Sequence, residues 1–541
     1  MNIKVAIIGG GFSGIYALKY CIQENLNCRL FESSNSIGGV WKYNKKKSGG
    51  VLKNTYASSS LIFLHPTDYL FPNETPEFPH HSIIYEHLVN YVQYFDLNKH
   101  IQFNTFITNI TKNKNKWIIN YLKNNSNIKE SFDKIIICTG IHQNINIPND
   151  LIFNNFNPKK IVHSHYYKKN RQKFKNKNIV IIGGGETAHD IACDLSTISN
   201  KIYMSIRKGQ WFQGKISGPN EAADLYFNRY MNYIWCKPYA KLIGYINEFM
   251  WGKGGTGVKE WKPDSIYGNS FFTKGRECLL WIAKGKIIPC GQITKIEDNN
   301  IFFNEKVANA DYIILCTGYN NHHLKKLLPT VNYDKDKYKL IFDPDDISLS
   351  YCGFIRPFLT SMPLVAELQA RLISCVYSKK IKLPAKDIII KTIQKDINCQ
   401  KSRFSNNYDR LNYLINPYTY CDQIATLIGC KPNMLKLFFT NHYLWRTLFF
   451  SPWSQFHYTI NSNNEKTKKI AIDKLDQIKK SLSGQKLKKL ANIGTIFIVI
   501  VLLIIISIII GIIFGFVQGI KKISPYIAHI FSILLLLIIP I

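Results

Sequence analysis

The sequence predicts an α/β protein made of two doubly wound units, the second inserted into the first, followed by a hydrophobic anchor. Three observations predict it. A short apolar run enters a glycine-rich turn at the N-terminus, as KVAIIGGGFSG. The same pattern returns from residue 178, as NIVIIGGGETA. Residues 493–517, IGTIFIVIVLLIIISIIIGIIFGFV, carry no charge. With 541 residues, 46% of them hydrophobic, the chain can fill sizeable cores.

In the first unit, Lys4 to Ile8 reads as a buried parallel strand, and Gly9, Gly11 and Gly14 fill the G-x-G-x-x-G positions before a helical pattern. Each glycine has its own task. Gly9 permits the tight turn, Gly11 lets a pyrophosphate approach the backbone, and Gly14 lets helix and strand pack closely. The helix N-terminus then faces the phosphates, with Gly10, Phe12 and Ser13 completing the candidate turn. CRLFES reads as the next strand and ends at Glu32, where a carboxylate accepts hydrogen bonds from a ribose 2′-hydroxyl.

In the second unit, Gly183 and Gly185 hold the first two positions and Ala188 replaces the third glycine. The matching strand end reads MSIRKG, so Arg207 and Lys208 stand where an acid would have stood. A carboxylate would repel a 2′-phosphate, whereas a guanidinium holds one with paired charge-assisted hydrogen bonds. The first turn therefore suits a dinucleotide with free ribose hydroxyls, and the second suits NADPH. Two further apolar runs, FDKIIICTGIH at 132–142 and ADYIILCTGYN at 310–320, read as strands returning toward the nucleotide sites, with Gly318 counted among the cofactor residues. The fold class is thus α/β, with two Rossmann-like dinucleotide-binding domains and a C-terminal transmembrane anchor.

The formal net charge is +33, but Lys is spread over solvated loops and no stripe of Arg with aromatics stands out, so no nucleic-acid partner is expected. The 13 cysteines are scattered, with no Cys-x-x-Cys pair, which predicts reduced, cytosol-facing thiols and no redox-active disulfide beside a flavin. His80–His81 and His322–His323 read as polar loop pairs without a third ligand, so no metal is expected. No secretory signal is expected, because Met1 runs almost at once into the glycine turn. The 493–517 stretch is long enough to cross a hydrocarbon core of about 30 Å. Residues 526–541 are apolar but short, which leaves crossing, re-entry and interfacial placement open. The Lys-rich stretch within 461–492 reads as a basic amphipathic helix and, by the positive-inside rule, places the large N-terminal part in the cytosol.

Further blocks follow the first turn: SIGGVWKY, then LKNTYASSSLIFLHPTDYLFP, then KIVHSHYYK, GFIRPFLTSMPLVAELQARLISCVYSKKIKLP and NPYTYCDQIATLIGCKPNMLKLFFT. In order and spacing the chain resembles the flavin-containing monooxygenases over nearly its whole length. The resemblance implies FAD at the first turn and NADPH at the second. It implies a flavin C4a-hydroperoxide, stabilised by bound NADP+, that oxygenates the nitrogen or sulfur of small nucleophilic substrates with molecular oxygen. It places Gly9 to Ser13, Glu32, Val40 and Trp41 at FAD, and Asn54 beside the flavin as the catalytic amide. It places Thr187, His189 and Asp190 on the helix opening at NADP, and Arg207 at the 2′-phosphate. It also implies a lipid membrane of endoplasmic-reticulum type as the site of anchorage.

One block departs from the family. Of its pattern F-x-G-x-x-x-H-x-x-x-(Y/F), His163 and Tyr167 remain, but Phe156 lies one residue too far upstream and the glycine is missing. That departure bears on closure between domains and leaves uncoupled NADPH oxidation open. Baeyer–Villiger insertion into ketones is open as well, and so is a catalytically inactive, membrane-tethered binding protein of the same fold. The expected division is 1–165 with 325–460 for FAD, 166–324 for NADPH, 461–492 as basic linker, 493–517 as transmembrane helix and 526–541 as a second hydrophobic segment.

Overall fold

A computed structural model describes residues 3–480, apart from 47, 124–125, 170, 218–220, 235–236, 266, 271, 359, 405–407 and 412. The hydrophobic segments 493–517 and 526–541 lie outside the described residues. Among the described residues, no helix is long and apolar enough to cross a membrane.

The chain forms two compact units, Met1–Ser217 with Gly244–Lys431, and Gly218–Ile243 with Pro432–Ile541. The first holds two parallel sheets of five strands each. In one, the strand order is Leu349–Tyr351, Lys134–Ile137, Lys4–Ile8, Asn27–Phe31, Ile101–Gln102. In the other it is Ile287–Cys290, Lys201–Ser205, Asn178–Ile182, Tyr312–Leu315, Ile161–His163. Parallel strands covered on both faces need nearly continuous apolar runs, and KVAII and NIVII supply them at the centres.

The two sheets repeat one local design. Ile8 lies in register with Phe31 on one side and Ile137 on the other. Ile182 lies likewise between Ser205 and Leu315. At the strand ends, Gly9 N–H donates to Phe31 O at 2.9 Å and Gly183 N–H to Ser205 O at 3.0 Å. Each central strand then passes through its glycine turn into a helix, Phe12–Gln23 or Glu186–Leu195.

A three-stranded antiparallel meander, Thr105–Asn113, Lys116–Lys123 and Ser126–Phe132, caps the first sheet. Its Trp117, Ile119 and Tyr121 share a core with Ile8, Phe31 and Ile137. A smaller meander, Ile293–Glu297, Asn300–Phe303 and Val307–Asn309, serves the second sheet, where Phe303 packs with Val180, Ile313 and Leu315. The crossings between sheets are laced together, because Asn144–Ile145 pairs antiparallel with Tyr319–Asn320 just beyond Gly140 and Gly318.

In the second unit, Trp445 and Phe450 form a core with Tyr230 and Phe449, and Asn228 Nδ2 donates to Phe450 O at 3.1 Å. The described part of the Lys-rich stretch forms the helix Glu465–Lys480, which buries Ala471, Leu475 and Ile478 and exposes Lys466 and Lys469, and residues 481–492 lie outside the described residues.

Two loop expectations change. His81 opens the helix His81–Tyr94, and His80 caps it by accepting the N–H of Ser82. His323 opens the short helix His323–Leu327. A histidine N-cap is uncommon, so these pairs carried no recognisable start signal.

Candidate active site

The first turn closes on itself through its glycines. Gly9 has φ +111°, and a Cβ there would come within 2.6 Å of the carbonyl oxygen of Cys138. A Cβ on Gly14 would overlap the carbonyl oxygen of Gly9, so this glycine is what lets the helix meet the strand. Gly11 caps the helix Phe12–Gln23 without any side-chain hydrogen bond. The first N–H groups of that helix are therefore left for another acceptor. Gly39 backs the turn: a Cβ on Gly11 would meet only the Cα of Gly39, at 3.7 Å.

Glu32 follows its strand and is buried, at 9% exposure. Its Oε2 accepts the N–H of Gly10 at 2.7 Å, and its Oε1 accepts the N–H of Ser34 at 2.8 Å and the hydroxyl of Ser34 at 2.7 Å. Val40 and Trp41 form the short helical turn Gly39–Trp41, and Val51 N–H donates to Val40 O at 3.0 Å. Phe12 is buried and Ser13 half-buried at the start of the helix.

The second turn repeats this geometry with one change. Gly183 has φ +129°, and a Cβ there would collide with the carbonyl oxygen of Cys316, the counterpart of Cys138. Gly185 caps Glu186–Leu195 without a side-chain bond, and a Cβ there meets nothing within 4 Å. That open cradle beside unpaired N–H groups fits a pyrophosphate. Ala188, in the third position, is fully buried in the core of the second sheet with Ile179 and Ile181.

Thr187 is exposed, Asp190 half-buried, and His189 buried against Glu277, the first residue of the helix Glu277–Ala283. Arg207 lies two residues past its strand, and its Nη1 sits 2.7 Å from Asp150 Oδ2. Both side chains are more than half exposed. Nothing in the sequence pattern pointed to Asp150, since it comes from a loop far upstream.

Asn54 is exposed on a turn that its neighbours hold firmly. Thr55 N–H donates to Leu52 O at 3.2 Å, and the rings of His80 and His81 lie 2.8 and 3.2 Å from Lys53 O. Gly318 has φ +82°, and a Cβ there would meet nothing within 4 Å. His163 is buried, its Nδ1 accepts the N–H of His165 at 3.1 Å, and burial pushes its pKa down to about 4. Tyr167 donates its hydroxyl to Asp194, which also holds Arg171 at 2.8 Å. Phe156 packs into the core of the second sheet beside Val180 and Leu315. Among the described residues, no group of His, Cys, Asp and Glu side chains is placed to hold a metal ion.

Comparison with known proteins supplies the decisive observation: the model of the flavin-binding monooxygenase-like family matches residues 2–517. The chain belongs to that family. A flavin-containing monooxygenase 5 of Cavia porcellus is 26% identical over 508 residues, covering 90% of this chain and 94% of the relative. A flavin-containing monooxygenase 1 of Homo sapiens is 28% identical over 487 residues, covering 85% and 89%. Among solved structures, an S-allyl-L-cysteine S-oxygenase from Allium sativum matches with a TM-score of 0.60 at 20% identity, over 88% of this chain and 98% of that one. An oxidised steroid monooxygenase bound to NADP matches with a TM-score of 0.59 at 14% identity, over 79% and 97%.

Membership in the flavin-binding monooxygenase-like family makes the chain an oxidoreductase that uses FAD, NADP(H) and O2. The structural likenesses, all at low identity, show the two-sheet α/β fold.

Proposed function

We propose that the chain transfers one oxygen atom of O2 to the nitrogen or sulfur of a small soft nucleophile and returns the other as water. NADPH supplies the two electrons. The observation that carries the reading is the unlike charge at two otherwise matching turns, Glu32 beside the first and Arg207 beside the second. The first turn is assigned to FAD, with Gly9, Gly10, Gly11, Phe12, Ser13, Gly14, Glu32, Val40 and Trp41. The second is assigned to NADPH, with Gly183, Gly185, Thr187, Ala188, His189, Asp190 and Arg207, and Gly318 in the turn after the return strand Tyr312–Leu315.

Reduced flavin supplies the chemistry that activates dioxygen. The protein's part is to orient and to exclude water. Unpaired N–H groups at the two helix starts hold pyrophosphates, and Glu32 holds a ribose. Asn54 offers an oriented amide that donates a hydrogen bond without giving up a proton, which suits a reaction needing fixed dipoles more than a base. Residues 1–165 and 325–460 are assigned to the FAD part and 166–324 to the NADPH part. Residues 493–517 are the proposed anchor, with the catalytic part facing the cytosol at an endoplasmic-reticulum-type membrane.

The test is purification in detergent followed by turnover. The expected result is a yellow protein that prefers NADPH to NADH and converts a thioether to its sulfoxide or a tertiary amine to its N-oxide. An ester formed from a ketone in place of those products redirects the reading to Baeyer–Villiger chemistry. A colourless protein indifferent to both coenzymes overturns it.

A further inference from the structure

The segment Thr273–Glu277 lies across the second glycine-rich turn. Thr273 is fully buried and donates its hydroxyl to the carbonyl of Gly184 at 2.6 Å. The N–H of Lys274 donates to Oε1 of Glu186, the first residue of the helix, at 2.9 Å. The ammonium of Lys274 reaches Ser59 Oγ at 3.1 Å, in the loop that carries Asn54. One short segment therefore touches the inside of the turn, the start of its helix and a loop of the other nucleotide site.

Gly275 makes the last link possible. Its φ is +147°, and a Cβ there would come within 2.5 Å of Glu277 Oε2 and 2.9 Å of His189 Cε1. Without that Cβ, Glu277 closes on the helix. His189 is 4% exposed, with Nδ1 at 3.3 Å from Asp190 Oδ1 and Nε2 at 3.1 Å from Glu277 Oε2. The N–H of Cys278 also points at Nε2, from 3.4 Å, and Cys193 Sγ lies 3.9 Å away. One ring nitrogen cannot donate and accept at once, and the shorter contact, to the carboxylate, decides that Nε2 carries hydrogen.

We propose that Thr273–Glu277 is a strap whose ion pair with His189 positions the second dinucleotide turn for NADPH and whose Lys274 ties that turn to the Asn54 loop. This rests on the assignment of the second turn to NADPH. His189 and Glu277 are positioning residues: both ring nitrogens of His189 face carboxylates, Nδ1 that of Asp190 and Nε2 that of Glu277, and Glu277 acts on the turn through His189. Burial opposes charge on the His189 ring, but its bonds to the carboxylates of Asp190 and Glu277 outweigh burial and hold its pKa above the ordinary value. The same bond, from His189, holds Glu277 down to about 2. Lys215 is the further charge acting on Glu277, and on Glu186 it acts together with Lys274 and Asp190.

The experiment compares full-length wild type, Glu277→Gln and Glu277→Asp. In Glu277→Gln the NADPH KM is expected to rise about tenfold while kcat changes less than about twofold and FAD content stays constant. Glu277→Asp restores most of the loss. With one carboxylate gone, His189 titrates nearer its ordinary range, so the KM of Glu277→Gln climbs from pH 6 to pH 8 while that of wild type stays flat. An unchanged KM at every pH overturns the ion-pair role. So does an equal rise in both variants without pH dependence, which marks a merely structural contact. Lys274→Met keeps the backbone donor and is expected to raise the hydrogen peroxide released per NADPH consumed, and unchanged peroxide overturns the tie to the Asn54 loop. Wild type that ignores NADPH overturns the assignment of the second turn instead.

Discussion

Glu32 reaches back across the first glycine-rich turn to accept the N–H of Gly10 at 2.7 Å, so the acid and the turn are one rigid piece. The carboxylate thereby fixes the turn, besides the ribose contact proposed for it. Replacing Glu32 with Ala removes both effects. The loss of a charged hydrogen bond, about 1.5–3 kcal/mol, predicts FAD retention weaker by roughly ten- to a hundredfold, read as flavin lost on gel filtration. Full flavin content in Glu32→Ala would move FAD away from this turn.

Arg207 and Asp150 form an exposed pair at 2.7 Å, where a 2′-phosphate would compete for the same guanidinium. Arg207→Ala is expected to raise the KM for NADPH at least tenfold and to leave that for NADH nearly unchanged, since paired charge-assisted bonds are lost only for the phosphate. Asp150→Asn frees Arg207 and is expected to lower the KM for NADPH modestly. Parallel changes with both coenzymes would remove Arg207 from discrimination.

Gly14 admits no side chain, because a Cβ would overlap the carbonyl oxygen of Gly9. Gly14→Ala is therefore expected to yield a chain without flavin or one that fails to accumulate, at a cost of several kcal/mol from overpacking. A yellow, active Gly14→Ala would show that helix and strand separate more easily than the structure indicates.

His87 is buried with its ring stacked 3.5 Å from that of Phe71, and burial pushes its pKa down to about 4, from 6.5 in an open chain. Between those values the unfolded state binds the extra proton. Stability is then complete above pH 6.5 and is lost as pH falls toward 4. His163 and His323, each pushed down to about 4 by burial, act in the same direction. The melting temperature is expected to fall steadily from pH 7 to pH 5, and His87→Gln to flatten that slope by on the order of 1–3 kcal/mol. Identical slopes would place the acid sensitivity elsewhere.

Deleting residues 490–541 is expected to release the protein from membranes with NADPH oxidation and flavin content retained. Sedimentation of the truncated chain with membranes would contradict a C-terminal anchor, and a folded but inactive product would contradict the separation of anchor from catalyst.

Much of the architecture was legible in the chain. The runs KVAII and NIVII are the observed central strands, Lys4–Ile8 and Asn178–Ile182, because buried parallel strands demand continuous apolar residues and glycine turns mark their ends. The strands ahead of Cys138 and Cys316 were legible for the same reason. Helix starts at His81 and His323 were not, since neither carries a usual capping signal.

The sequence by itself determined the two turns and their opposite charges, because strand propensity, glycine φ angles and the residue at a strand end are properties of a few consecutive residues. Only the tertiary structure decided that Arg207 meets Asp150, that Glu277 closes on His189 and that Lys274 reaches Ser59. Those pairs join residues far apart in the chain, and no local pattern encodes which side chains the packing of two sheets brings within hydrogen-bonding distance.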